Sequence, residues 1–240
     1  MIFSGVLAPP PRWTWVTAVA AGVLGLLANV LLVGFFVLTW PYYFDLRWNW
    51  LGPANDIVLI GFFGALVPVV VAVRRLLPAS RIATIGAVGG VAALVGLVVL
   101  QVALVAGWLS FPVQVRFVIG LLVVVYGWLV LVSSVGHRSG RLPRSLTRFG
   151  LLLGVSWLAA MACAAAGVAL GGSLWYPQLE LPAALLLLPG VVLGGLNWLL
   201  LPLWPLVLAR TTLRGRAVPS EPSTQLSTAP VSSLPKERFR

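Results

Sequence analysis

Long apolar runs separated by short polar connections are the dominant pattern of the chain. The runs cover residues 13–38, 54–73, 82–109, 117–135, 149–170 and 181–209. Each is close to or above the roughly 20 apolar residues that a helix needs to cross a bilayer. None alternates with the short period of a barrel strand, and backbone groups in hydrocarbon must bond internally. The pattern therefore predicts an all-α fold, a polytopic transmembrane helical bundle with six spans.

Basic residues are concentrated in alternate connections. The connections after the second, fourth and sixth runs hold Arg74, Arg75, Arg81, Arg138, Arg141, Arg144, Arg148, Arg210, Arg214 and Arg216. The connections after the first and third runs hold only Arg47 and Arg116, and the connection after the fifth run holds no basic residue. Cytoplasmic loops of membrane proteins carry an excess of Lys and Arg. The asymmetry predicts an N-in/C-in topology, with both termini in the cytoplasm.

The two ends of the chain lack the character of the spans. Residues 1–12 include a run of prolines and one arginine, and we expect a short cytoplasmic N-terminus there. The run that follows is longer than the apolar core of a signal peptide, so we expect it to be kept as the first span. Residues 217–240 are rich in Pro, Ser and Thr, which predicts a disordered cytoplasmic tail. The transmembrane domain is therefore expected over residues 13–216.

The composition agrees with this interpretation. Apolar residues make up 60% of the chain and charged residues 9%, whereas a soluble domain is about a quarter charged. The net charge of +11 does not indicate nucleic-acid binding, because the basic residues lie in short clusters between apolar runs. Nearly all of them are Arg, which together with abundant Ala, Gly, Leu and Val is typical of a GC-rich bacterial genome. We expect a multi-pass protein of the plasma membrane, the inner membrane of a bacterium.

Three side-chain amides lie well inside apolar runs. Asn29 is in the first run, Gln101 in the third and Asn197 in the sixth. An amide in hydrocarbon needs a partner, and such bonds between helices contribute about 0.6–2 kcal/mol. The first hypothesis is that these residues join helices. The alternative is that they line a small polar cavity for a ligand.

Asp56 is the acidic residue that lies inside an apolar run, at the start of the second. It follows Gly52, Pro53, Ala54 and Asn55, a sequence that favours the start of a helix. An acid in the first turn also meets the positive end of the helix dipole. This accounts for Asp56 structurally. The alternative is that Asp56 binds a cation or exchanges a proton at the outer rim of the membrane.

Other reactive residue types are isolated in the sequence. Cys163, the only cysteine, lies in an apolar run, and His137, the only histidine, opens an arginine-rich connection. Ser133 and Ser134 have no base nearby in sequence, so nucleophilic catalysis is not indicated. No zinc-ligand spacing and no phosphate-binding loop is present. We therefore expect no catalytic residue, no cofactor and no metal, and the chain is not expected to be an enzyme.

A few residues resemble those of a known group of proteins. Asn29 in the first span, Gly52–Asp56 at the start of the second, and Asn197–Arg210 at the end of the sixth resemble uncharacterised six-span bacterial integral membrane proteins. The resemblance covers residues 13–216. It implies a six-helix membrane fold and implies no activity and no site.

The sequence leaves three functions open. Short connections, no soluble domain and no charge in the centre of the spans favour a structural, interaction or accessory membrane protein. Its partners would be the lipid bilayer and either another membrane protein or a second copy of the chain. The alternative is a transporter or permease subunit that works with a separate ATPase. An intramembrane enzyme is the third, and it lacks a visible set of catalytic residues.

Overall fold

The computed structural model describes residues 12–39, 47–170 and 181–214. Within these ranges every regular element is a helix: α1 Arg12–Thr39, α2 Leu51–Leu76, α3 Arg81–Val105, α4 Phe111–Ser139, α5 Arg144–Ala169, α6 Leu181–Leu200 and α7 Leu203–Arg214. They form six segments long and apolar enough to cross a membrane, with α6 and most of α7 making the sixth. The predicted all-helical fold with six such segments is confirmed. The cytoplasmic N-terminus, apart from Arg12, and the disordered tail were predicted for residues that lie outside the described ranges.

The helices pack in the order of the chain and close into a ring. Each helix from α1 to α5 packs against the next one in the chain. Helix α7 packs against α1 and α5. Short connections of a few residues join α2 to α3, α3 to α4 and α4 to α5, so these neighbours run antiparallel. The ring places the last helix beside the first.

The two ends of the bundle differ in charge. Arg74, Arg75 and Arg81 flank the α2–α3 connection, and further arginines flank the α4–α5 connection. The Arg75 guanidinium lies 6.0 Å from the centre of the Trp13 ring, which places the start of α1 at this end too. We call it the arginine-rich end. The opposite, arginine-poor end is formed by the starts of α2 and α4 and by the end of α3.

Several helices have different boundaries from those predicted. Because α2 starts at Leu51 and not at residue 54, Asp56 lies outside the first turn, where it was expected. Helix α5 starts at Arg144 and not at residue 149.

The third run was expected to continue to residue 109, but α3 ends at Val105 because Gly107 adopts a positive φ of 72° in the turn that follows. The fourth was expected to start at residue 117, but α4 starts at Phe111, with Pro112 in its first turn. Proline has no N–H to leave unpaired at a helix start, so it favours this position. The helix therefore begins six residues before the apolar run.

The sixth run was predicted as one helix and is divided in two at Leu201–Pro202. Pro202 and Pro205 carry no N–H, so the carbonyls of Trp198 and Leu201 lose their usual helical donors. The Leu201 N–H bonds to the Trp198 carbonyl at 3.3 Å, and the Trp204 N–H bonds to the Leu201 carbonyl at 3.1 Å. These tighter turns satisfy backbone groups that hydrocarbon would leave unpaired.

Glycines let α5 and α6 approach each other closely. A Cβ at Gly190 of α6 would lie 2.7 Å from the Ala160 carbonyl oxygen and 2.7 Å from the Ala164 backbone nitrogen. On the other side of the contact, a Cβ at Gly167 of α5 would lie 2.8 Å from the Leu187 backbone nitrogen. Real Cβ atoms do not come so near to backbone, so only glycine fits at these two positions without displacing a helix. The small residues therefore fix the α5–α6 distance.

Candidate functional site

Four polar side chains from three helices meet near the arginine-poor end of the bundle. Asn55 and Asp56 lie in the second turn of α2, Gln101 in the last turns of α3, and Gln114 in the first turn of α4. They come together because α2 and α4 begin at the end where α3 finishes. Asn55, Gln101 and Gln114 are buried, and Asp56 is partly buried. Burying four polar groups among apolar helices is unfavourable unless they find partners.

The amides form a chain of hydrogen bonds that ends on the carboxylate. Gln114 Nε2 donates to Gln101 Oε1, and Gln101 Nε2 donates to Asp56 Oδ1 at 3.3 Å. The chain runs from α4 through α3 to α2, so it ties the three helices together. The group that donates to the Asp56 carboxylate in this series of hydrogen bonds is the neutral amide of Gln101. The bond therefore stabilises the negative charge of Asp56 without neutralising it.

The same four side chains line a cavity of about 170 Å³. The rest of its wall is apolar or aromatic: Leu32, Leu59, Phe63, Phe111, Val115, Val118 and Trp198. Asn55 Oδ1 is buried and has no hydrogen-bond partner among the described residues. A water molecule occupies about 30 Å³ in the liquid, so the cavity has room for a small hydrated ion or a small molecule. Two residues with oxygen acceptors, Asp56 and Asn55, are among those that line this space, and the Asn55 oxygen is enclosed beside it.

Asn197 lies away from this cavity and joins three helices. Its Nδ2 donates to the Leu193 carbonyl of its own helix at 2.8 Å, and its Oδ1 accepts from Ser156 Oγ of α5 at 2.8 Å. The Asn197 backbone carbonyl accepts from Tyr126 Oη of α4 at 3.3 Å. Asn197 is therefore bonded on every side by groups of the bundle, one turn before the break between α6 and α7.

Asn29 approaches the same break from α1. Its Nδ2 donates to the Leu199 carbonyl in the last turn of α6 at 2.9 Å. This carbonyl lies at the break between α6 and α7, and the Asn29 amide supplies it with a donor from outside the helix. The structure thus separates the polar positions singled out in the sequence. Asp56 and Gln101 share the cavity, whereas Asn29 and Asn197 lie at the helix break.

Two residues of the cavity were not recognised as site candidates in the sequence. Asn55 was noted only as part of a helix start, and Gln114 was assigned to a connection because the fourth run was expected to begin at residue 117. The signal that could have found Gln114 is Pro112, since a proline favours the first turn of a helix. A helix starting there places Gln114 inside the bundle.

The other reactive side chains do not gather into a catalytic set. Ser133 Oγ and Trp204 Nε1 are buried without partners among the described residues, and both lie beside Gly150. His137 Nδ1 lies 3.4 Å from Thr147 Oγ1, and Cys163 is partly exposed. Within the described ranges no group of three His, Cys, Asp or Glu residues is placed to hold a metal ion. These residues add no chemistry to the cavity.

Comparisons of the chain with protein families, with characterised proteins and with solved structures found no match. The resemblance of Asn29, Gly52–Asp56 and Asn197–Arg210 to six-span bacterial membrane proteins therefore stays a prediction. No residue is assigned a role through it. The chemistry of the cavity rests on its own geometry.

Proposed function

We propose that the protein is an N-in/C-in multi-pass protein of the bacterial plasma membrane that binds a small monovalent cation in the Asp56 cavity. The observation that carries this proposal is a hydrogen-bonded carboxylate, at the end of an amide chain, lining a cavity next to the unpartnered Asn55 Oδ1. An ionisable residue within a membrane span is costly, and such residues usually serve a binding or transport function. The charge asymmetry of the connections supports the orientation.

The chemistry of the lining favours a cation with a single charge. Carboxylate and amide oxygens are hard ligands that suit ions such as Na⁺. A single positive charge balances the single negative charge of Asp56, and a neutral pair costs less in a low-dielectric region than either ion alone. A calcium ion takes six to eight oxygen ligands, often from several carboxylates, whereas Asp56 is the only acidic residue in the described ranges.

Two of the three functions left open by the sequence, the accessory protein and the permease subunit, accommodate this binding role. In a permease subunit that works with a separate ATPase, the cation would be a coupling ion or the charged group of a substrate. In an accessory protein, which is bound to another membrane protein or to a second copy, the cation would stabilise the outer ends of α2, α3 and α4. Affinity purification with identification of the partner distinguishes the two roles.

Thermal unfolding of the detergent-purified protein tests the proposal. Sodium, potassium and ammonium chloride are compared with choline chloride at equal ionic strength, so that general screening is held constant. When the concentration of a cation is 100 times its dissociation constant for the folded protein, its binding raises the free energy of unfolding by about 2.7 kcal/mol. We expect at least one small cation to raise the melting temperature, and Asp56→Asn to abolish that rise. If no small cation stabilises more than choline, or if Asp56→Asn keeps the full effect, the proposal is wrong.

A matched pair of substitutions separates the cavity from the rest of the polar network. Asn55→Leu removes the amide of a residue that lines the cavity, and Asn29→Leu makes the same change outside it. We expect Asn55→Leu to weaken the cation effect. Basal stability should change little, because the substitution removes an unpaired buried acceptor but also takes the neighbouring Asn55 amide from Asp56. Asn29→Leu should leave the difference between sodium and choline intact.

A further inference from the structure

A groove on the side of the bundle lies between α2 and α3 at the arginine-rich end. It has a volume of about 450 Å³ and is lined by Val71, Arg74, Arg75, Thr84, Ala87, Val88, Val91 and Ala92. Its wall along α3 runs from Thr84 to Ala92, a distance of about 12 Å at the rise of an α-helix. That is close to the thickness of one leaflet of the hydrocarbon core, about 15 Å. Val88 and Ile85 beside it are largely exposed, so this face of α3 looks outward toward lipid.

The top of the groove carries two fixed positive charges. The Arg74 guanidinium donates from Nη2 to Thr84 Oγ1 at 2.8 Å and from Nη1 to the Pro78 carbonyl at 3.3 Å. These bonds hold it across the α2–α3 corner. Arg75 is exposed, and its guanidinium lies over the Trp13 ring. The groove therefore joins a positive head region to an apolar channel.

The partners that the structure shows for these arginines are neutral. Hydroxyl and carbonyl oxygens and an aromatic ring orient the two guanidiniums without cancelling their charge. Asp56, the only acid in the described ranges, lies about 27 Å away along α2. Arginine matches the geometry of a phosphate, to which it donates two parallel hydrogen bonds. The exposed Arg75 is placed to make this pair, whereas Arg74, whose donors mostly bond to Thr84, Pro78 and Ser80, contributes mainly its charge.

We propose that this groove binds an anionic phospholipid, with its phosphate at Arg74 and Arg75 and one acyl chain along Val71, Ala87 and Val91. The apolar lining supplies the contact for the chain, and the paired arginines select the charged headgroup. A soluble anion would gain nothing from the channel below the arginines. The proposal is independent of the Asp56 cavity, which lies at the opposite end of α2 and α3.

Native mass spectrometry of the purified chain tests the site with phosphatidylglycerol and phosphatidylcholine as probes. Two variants address the two halves of the groove. Arg75→Gln removes a headgroup contact without touching the Arg74 corner, and Ala92→Phe fills the channel from an exposed position. The double variant Arg138→Gln/Arg141→Gln is the control, because it removes charge at the same end but outside the groove.

We expect the wild-type chain to retain phosphatidylglycerol in preference to phosphatidylcholine. Arg75→Gln should lower the retained phosphatidylglycerol about fivefold, the effect of one arginine near an anionic surface. Ala92→Phe should lower retention of the same lipid with all charges in place, and the control should keep retention near the wild-type level. Equal retention of both lipids, or an equal loss in the control and in Arg75→Gln, would show general charge attraction and would overturn the proposal. Displacement of the lipid by millimolar inorganic phosphate would also overturn it.

Discussion

Individual polar residues inside the spans have different roles that depend on what they face. Gln101 bonds to the Asp56 carboxylate in the cavity, whereas Asn29 bonds to the Leu199 carbonyl beside the break in the sixth span. All of these amides are buried. The Asn29 amide bonds to backbone and so stabilises the fold, whereas the Gln101 amide holds a carboxylate at the wall of a cavity. Residue type alone does not distinguish the two cases.

The role of Asn29 leads to a prediction about stability. Asn29→Leu removes the side-chain donor to Leu199, so the free energy of unfolding in detergent should fall by about 0.6–2 kcal/mol. Chemical denaturation followed by tryptophan fluorescence measures the change. The control is Val30→Leu, which alters an exposed side chain of the same helix and should have almost no effect. Equal stability of Asn29→Leu and the wild type would mean that the bond to Leu199 contributes nothing.

At the scale of helices, contacts between backbones set the packing of α5 against α6. Gly190 and Gly167 lie where a methyl group would strike the backbone of the opposite helix. Inside a bilayer the helices are already out of contact with water, so burying apolar side chains between them gives no hydrophobic gain. The association of the helices therefore depends on close packing. Substitutions at these glycines should therefore lower stability more than substitutions at the large leucines that face lipid.

A pair of alanine substitutions in α6 tests this packing. Gly190→Ala should destabilise the bundle by about 1–3 kcal/mol, the usual cost of an overpacked core. Gly195→Ala is the matched control, because a Cβ at Gly195 has no atom within 4 Å. Alanine is a better helix former than glycine, so the control should be neutral or slightly stabilising. Melting temperatures of the two variants are compared, and an equal effect of both would contradict the role of Gly190.

The sequence predicted the helices well and their contacts poorly. Long apolar runs leave little choice but a helix, because backbone in lipid must bond to itself. An apolar run does not show how far its helix extends beyond it, so Gln114 was predicted to lie outside the bundle. It also does not show where a helix breaks within the run, although Pro202 and Pro205 mark the position in the sequence. The cavity depends on which faces of α2, α3 and α4 pack against each other. The sequence of one helix does not determine which of its faces contacts a neighbour.

At the scale of the whole molecule, charge is distributed asymmetrically along the bundle axis. The α2–α3 and α4–α5 connections are rich in arginine, and the α3–α4 connection has none from Ala106 to Ser110. The sequence-based orientation places the arginine-rich end in the cytoplasm and the Asp56 cavity near the outer surface. A cation from outside would then reach Asp56 without crossing the membrane.

Labelling of single cysteines in intact cells tests the orientation. Cys163→Ser gives a background in which Ala79→Cys and Trp108→Cys are introduced, both at exposed positions of connections. A membrane-impermeant maleimide should label Trp108→Cys and spare Ala79→Cys until the cells are opened. Total reactivity after opening is the control for accessibility. Labelling of Ala79→Cys in intact cells, with Trp108→Cys protected, would reverse the proposed topology.

The bond between Asn29 and Leu199 has a consequence for the order of assembly. Its two partners are 170 residues apart, and a chain that enters the membrane from its first helix presents Asn29 long before Leu199 is synthesised. Until the sixth span arrives, the amide of Asn29 has to bond elsewhere or remain an unfavourable polar group in the bilayer. Helix α6 therefore completes the hydrogen bonding of α1 when the two helices come into contact. An interrupted chain would display an unsatisfied asparagine in its first span, a local mark by which incomplete copies differ from finished ones.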